Sequence, residues 1–101
     1  MLSPFGNDSI SESNVSRTDN IGDMQITVYP NPTEGVLRVA IDGADDNSFL
    51  FTVIDMGGRV LQSFKSYNVE TDVDMTSYLE GVYILKVVAG GKTSVFRIIK
   101  K

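Results

Sequence analysis

Two groups of carboxylates are the residues whose types and spacing come closest to chemistry. Asp42, Asp45 and Asp46 with Asn47 gather oxygen donors in one short stretch, the donor type that a hard cation such as calcium takes. Their spacing is not that of an EF-hand loop, and no glutamate stands where its bidentate ligand belongs. The plainer reading of the stretch is the solvated tip of a hairpin. Glu70, Asp72 and Asp74 recur at every second residue, so a regular strand puts them on one face, and a carboxylate pair is what glycoside hydrolysis uses as acid and base. Like charges at that spacing more often mark the wet face of a sheet. Serine and threonine nucleophiles have no histidine to activate them, and with no cysteine the chain lacks thiolates, disulfides and most structural zinc sites. Tyr29, Tyr67, Tyr78 and Tyr83 offer a sugar-stacking surface or, since most aromatics here sit inside apolar runs and tryptophan is absent, core packing. No enzyme, cofactor or metal is expected on these grounds.

The elements that must position these residues are short strands. Tyr29-Pro30-Asn31-Pro32-Thr33-Glu34-Gly35 is the firmest landmark: two prolines one residue apart each fix φ and lack an amide donor, so neither a helix nor a central strand passes through. The chain turns there, with Gly35 expected to supply a positive φ. Before the corner, Ile26, Val28 and Tyr29 form a strand; after it, Leu37, Val39 and Ile41 alternate as a half-buried one. Phe49–Ile54 is nearly all apolar and reads as a central strand. Gly57-Gly58 reads as a two-residue hairpin turn leading to a strand over 59–66. Tyr67–Met75 alternates again, the residues 75–79 allow a helix of no more than one turn with Gly81 ending it, and Val82–Val88 and Thr93–Ile99 flank a second Gly-Gly hairpin at Gly90-Gly91. Seven short strands predict an all-β, immunoglobulin-like antiparallel sandwich, with a small barrel as the alternative.

Composition divides the chain. Residues 1–24 are rich in Ser, Asn, Asp and Gly with isolated apolar residues, a mixture that cannot offset its own ordering entropy. They read as a flexible linker, and residues 25–101 as one domain. Of the net charge of −4, the leader holds −3 (Asp8, Glu12, Asp19 and Asp23 against Arg17) and the domain −1 (nine acids against eight bases). No one-sided basic patch offsets a phosphate backbone, so nucleic acid is not an expected partner. The longest apolar run is too short to cross a bilayer as a helix, and no direct membrane insertion is expected. Met1-Leu2-Ser3-Pro4 has neither the basic start nor the apolar core of a signal peptide. The chain is then either cytosolic or a piece of something longer, and a linker-like leader, which needs something in front of it to link, favours the second.

Four motifs then occur in a familiar order: Tyr29-Pro30-Asn31-Pro32 with Gly35-Val36-Leu37-Arg38-Val39; Asp55-Met56-Gly57-Gly58-Arg59-Val60; Leu79–Val87; and Phe96-Arg97-Ile98-Ile99-Lys100-Lys101. Together they resemble a type A C-terminal sorting domain of the type IX (Por) secretion system of Bacteroidetes. The resemblance implies a role without catalysis. Such a domain ends a secreted enzyme or adhesin that reaches the periplasm with a separate signal peptide. It then directs this upstream cargo through an outer-membrane translocon, with a shuttle protein and a surface sortase as further partners, to the cell surface or beyond. The sortase is expected to cut in the leader before Ile26, where Asp8-Ser9-Ile10 also resembles a short O-glycosylation motif. By position, Tyr29, Pro30, Asn31, Pro32 and Gly35 match the opening motif, Gly58 and Arg59 the middle one, Gly81, Tyr83 and Lys86 the late one, and Lys100 and Lys101 the terminal one. Turn geometry alone explains the glycines, and contact with the machinery is the alternative. The terminal hairpin is expected to present an accessible edge, although Lys100-Lys101 taken by composition reads as frayed surface. An accessory carbohydrate-binding or adhesive module is the other function consistent with the pattern.

Overall fold

Strict alternation of apolar and polar residues commits each run to one buried and one wet face, and two such sheets stack to hide the buried faces. The computed structural model describes residues 17–21, 24–43 and 48–101. Within them run β1 (Arg17–Ile21), β2 (Met24–Tyr29), β3 (Val36–Asp42), β4 (Phe49–Asp55), β5 (Val60–Ser66), β6 (Glu70–Asp74), β7 (Gly81–Ala89) and β8 (Lys92–Lys100). The seven expected strands are β2 to β8; they form one sheet of three and one of four, and β1 adds a fourth to the smaller. The orders are β1-β2-β3-β6 and β5-β4-β7-β8, every neighbour antiparallel. This is an antiparallel, immunoglobulin-like sandwich.

The core lies between the sheets and is nearly all side chain from alternate positions. Ile26, Val28, Leu37, Val39 and Val73 of the first sheet meet Phe51, Val53, Leu85, Val87 and Ile98 of the second, each at 1% exposure or less. Burying side chains of this size is worth about 1.5–3 kcal/mol apiece, which makes this layer the main source of stability. Phe51 and Phe64, cross-strand partners on β4 and β5, tilt against each other at 5.3 Å between ring centres. The apolar runs Phe49–Ile54 and Val82–Val88 are the two inner strands of their sheet, as their composition predicts.

Four sequence expectations change. Residues 17–21, read as part of the flexible linker, form β1 paired with β2 from Arg17↔Val28 to Ile21↔Met24, and Met24 is itself buried. β2 offers an unpaired backbone edge, and the polar run Arg-Thr-Asp-Asn-Ile satisfies it without needing an apolar face of its own. The leader reading for residues 1–16, and the Asp8-Ser9-Ile10 motif, lie outside the described residues. No helix forms near 75–79: one turn, closed by the Tyr78 amide on the Met75 carbonyl at 3.0 Å, leads into β7. The strand expected from Tyr67 begins only at Glu70. The β4–β5 turn is not a two-residue loop, since Gly58 has φ 88° while Gly57 is not among the positive-φ glycines. Instead the Asp55 carboxylate accepts from the amides of Gly57 and Arg59, both at 2.9 Å, and a register shift follows between Val53 and Ile54. Gly90 (φ 60°) and Gly91 (φ 74°) do form the expected two-residue turn between Ala89 and Lys92.

Candidate functional site

The proline corner and the end of β8 are one site. After Tyr29 the chain leaves the first sheet through two cis peptides, Tyr29–Pro30 and Asn31–Pro32, and runs along the outer edge of the second. There the Asn31 side chain stands in for a strand backbone. Its Nδ2 donates to the Arg97 carbonyl at 2.8 Å and its Oδ1 accepts from the Ile99 amide at 3.0 Å. Two residues on, the Thr33 amide donates to the Ile99 carbonyl and the Lys101 amide to the Thr33 carbonyl, both at 2.8 Å. Thr33 pairs with Lys100 in parallel. An asparagine amide matches a peptide group in donor and acceptor, which is why this residue type spans a position where the neighbouring prolines can donate nothing. Asn31 is 8% exposed and Thr33 fully buried.

The corner is tied back to its own sheet as well. Thr33 Oγ1 accepts from the Gly35 amide at 3.1 Å and donates to the Val36 carbonyl at 2.9 Å, while the Gly35 carbonyl accepts from the Met75 amide at 2.8 Å. Gly35 does not have the positive φ expected of it; its need is for space. A Cβ there would lie 2.5 Å from Thr76 Cγ2, and Thr76 is held in place by its hydroxyl and amide on Asp74 Oδ1 at 2.6 and 3.0 Å. Gly35→Ala is therefore expected to cost about 1–3 kcal/mol as overpacking. Thr76→Ser, which deletes the clashing methyl and keeps the hydroxyl, should recover most of that loss in the double variant. Denaturant melts of the four proteins test the coupling, and additive losses would show that the clash is not the cause.

The remaining motif residues scatter by role. Tyr29 ends β2 half-buried opposite Arg38. Arg59 projects into solvent, 81% exposed, with its Nε 3.8 Å from Asp55 Oδ2. Gly81 opens β7 opposite Lys100. Tyr83 is buried, its hydroxyl donating to the Leu79 carbonyl at 2.6 Å, its ring 5.2 Å from that of Tyr78. Lys86 stands exposed on the outer face of β7. Lys100, read by composition as frayed surface, is 6% exposed, and its Nζ donates to the Lys101 carbonyl at 2.7 Å. Lys101 is pinned through its amide with an exposed side chain. The terminal edge expected to be open is thus occupied from Arg97 to Lys101 by the corner. Thr33 and Asp55 were not singled out by their chemistry in the sequence; a Thr two residues before Gly35 and an Asp two before Gly57 are side-chain turn signals that point to both.

The carboxylate candidates resolve differently. Arg38 on β3 grips Asp72 across the strand pair, Nε to Oδ1 at 2.9 Å, and reaches Glu70 at 3.6 Å. The guanidinium hydrogen bond holds Asp72 below the usual carboxylate range, and the Thr76 hydroxyl and amide do the same for Asp74. A general acid at neutral pH needs a raised carboxylate, and both of these are lowered. Asp45, Asp46 and Asn47 lie outside the described residues, and among the described residues no three of His, Cys, Asp and Glu gather as metal ligands. The tyrosines form no shared platform. Tyr67 is 70% exposed, while Tyr78 and Tyr83 pack on each other and Gln62 Nε2 donates to the Tyr78 hydroxyl at 2.8 Å.

A search of the curated proteins gives no match. A family model described as the secretion system C-terminal sorting domain matches residues 27–101, from within β2 through the last residue latched by the corner. That span takes in the corner, both glycine turns and the terminal strand, and covers the sandwich except β1 and the start of β2. With three quarters of its length matched, from residue 27 to residue 101, this chain belongs to the type IX secretion C-terminal sorting domains.

Proposed function

We propose that the chain is the folded sorting signal of a type IX cargo, presented to an outer-membrane translocon by a shuttle protein and cut from its cargo by a surface sortase. The family match over residues 27–101 carries this reading. The family is not an enzyme family, and membership implies export across the outer membrane to the cell surface or the medium through the type IX machinery. Within the motif, Asn31, Gly35, Tyr83 and Lys100 build the sandwich from inside, as their burial argues. Arg59, Lys86 and the Lys101 side chain remain for recognition. The pairing of β1 with β2 supports a sorting module that extends back to Arg17, with the sortase cutting upstream of it, among the residues that read as linker. A cut within 17–29 would take a strand from the sandwich.

The test is genetic. The 101-residue chain is fused behind a periplasmic reporter with its own signal peptide and expressed in a type IX-competent host and in the same host lacking the translocon. The reporter is expected on the surface or in the medium of the first alone. The same distribution in both hosts would refute the sorting reading.

A further inference from the structure

The two outer faces of the sandwich differ in kind. Outward positions of the first sheet are mostly polar or charged: Gln25 and Thr27 on β2, Arg38 and Asp42 on β3, and Glu70, Asp72 and Asp74 on β6, with Tyr29, Val36 and Ala40 as the apolar exceptions. The second sheet inverts this. Its paired outward positions place Ile54 beside Ile84, Val82 beside Ile99, and Val95 next to Lys86, a connected apolar stripe across three strands. These residues are half-buried, and among the described residues no further layer packs on them. Cations border the stripe, Lys65 on β5 and Lys86 on β7, with Arg97 within it on β8. No carboxylate stands at any outward position of this sheet. Among the described residues none pairs with Lys65 or Lys86. The outer face of a sandwich sheet is ordinarily the polar one, so a connected apolar stripe there marks an interaction surface.

We propose that the outer face of the β5-β4-β7-β8 sheet docks a protein surface of the secretion machinery whose apolar centre is rimmed by carboxylates. This rests on the sorting reading above. The charge pattern selects the occupant. Two copies meeting through this face would bring the Lys65 and Lys86 cations of one together with those of the other. A copy offering its acidic sheet instead would match the lysines but oppose the apolar stripe with Gln25, Thr27 and charged side chains. A lipid surface is matched by protruding aromatic side chains above all, whereas the outward apolar positions of this sheet are Val, Ile and Leu50 with no aromatic among them. An apolar patch with a carboxylate rim fits both features.

The test uses the full chain behind the reporter. A photo-cross-linking residue at position 84 is expected to capture an outer-membrane component of the type IX machinery during export, and one at position 27, on the opposite sheet, is not. Lys65→Glu with Lys86→Glu is expected to abolish that cross-link and lower surface delivery about tenfold or more, with the melting temperature little changed. Lys65→Arg with Lys86→Arg should keep both. Wild-type delivery by the double Glu variant, or equal capture from positions 27 and 84, overturns the proposal. So does a cross-linked product of two copies of this chain, or sedimentation of the purified chain with phosphatidylglycerol vesicles that the Glu pair eliminates. Cross-linking requires no charge change, so it decides the matter even if the Glu pair lowers stability. Wild-type chain that fails to reach the surface of the intact host overturns the sorting reading instead, and the two failures are distinct.

Discussion

Removal of Val95–Lys101 will abolish the cooperative unfolding transition, not merely weaken a signal. The segment carries Phe96 and Ile98, 2% and 0% exposed between the sheets. It also carries the backbone partners of Asn31 and Thr33, and most of the long pairing with β7. Losing two such side chains alone costs about 5–10 kcal/mol, against a total stability of about 5–15 kcal/mol for a domain of this size. Thermal and urea melts followed by circular dichroism check it, with Lys101→Ala, whose side chain is exposed, as the control expected to melt like the parent. A sigmoidal transition in the truncated chain would show that the sandwich closes without its last strand. Loss of secretion after terminal truncation therefore reports on folding as well as on recognition, and substitutions on exposed positions separate the two.

Asn31→Ala is expected to lower stability by about 2–4 kcal/mol, from one buried residue of the corner. Among the described residues its side chain is the partner of the Ile99 amide on that edge, and it satisfies the Arg97 carbonyl as well. Stranding a buried donor or acceptor costs about 1–3 kcal/mol each. Asn31→Asp should do no better, because the acceptor for Ile99 survives while a carboxylate oxygen is set against the Arg97 carbonyl. Hydrogen exchange at the Ile99 amide is the sharp readout, accelerating in both variants while amides inside the β4–β7 pairing keep their protection. A loss below about 0.5 kcal/mol, the range of an ordinary surface substitution, would mean that water replaces the side chain without penalty.

What was legible in the sequence was whatever depends on period and on local turn chemistry. Leu37, Val39 and Ile41 alternate and are buried on one face; Val82–Val88 is apolar at nearly every position and lies inside its sheet; Gly90-Gly91 makes the tight turn its composition predicts. What was not legible depends on partners far along the chain. Arg17–Ile21 has no strand-like composition, and it is a strand because β2 has an edge to cover. Asn31 between two prolines reads as a turn residue, and nothing nearby reveals hydrogen bonds to residues 66 and 68 positions away. Lys100 reads as surface because lysine usually is, yet β8 alternation assigns it an inward position at the end of the sandwich. Gly35 is expected from its place in the turn to supply a positive φ, and it does not. The constraint is a threonine methyl from the segment after β6 rather than its own backbone angle.

The parallel pairing of Thr33 with Lys100 has a mechanical consequence. Tension between a cargo held at the leader and a machine gripping the far end draws the corner and the end of β8 in opposite directions along the same line. The bonds of Asn31 and Thr33 to Arg97, Ile99 and Lys101 are then sheared together. β1 and β2 face the same pull as a hairpin, so their ladder from Arg17↔Val28 to Ile21↔Met24 unzips one rung at a time. Pulled from the cargo side, the chain surrenders β1 first and then meets resistance at the prolines, which leaves the terminal strand gripped until the last.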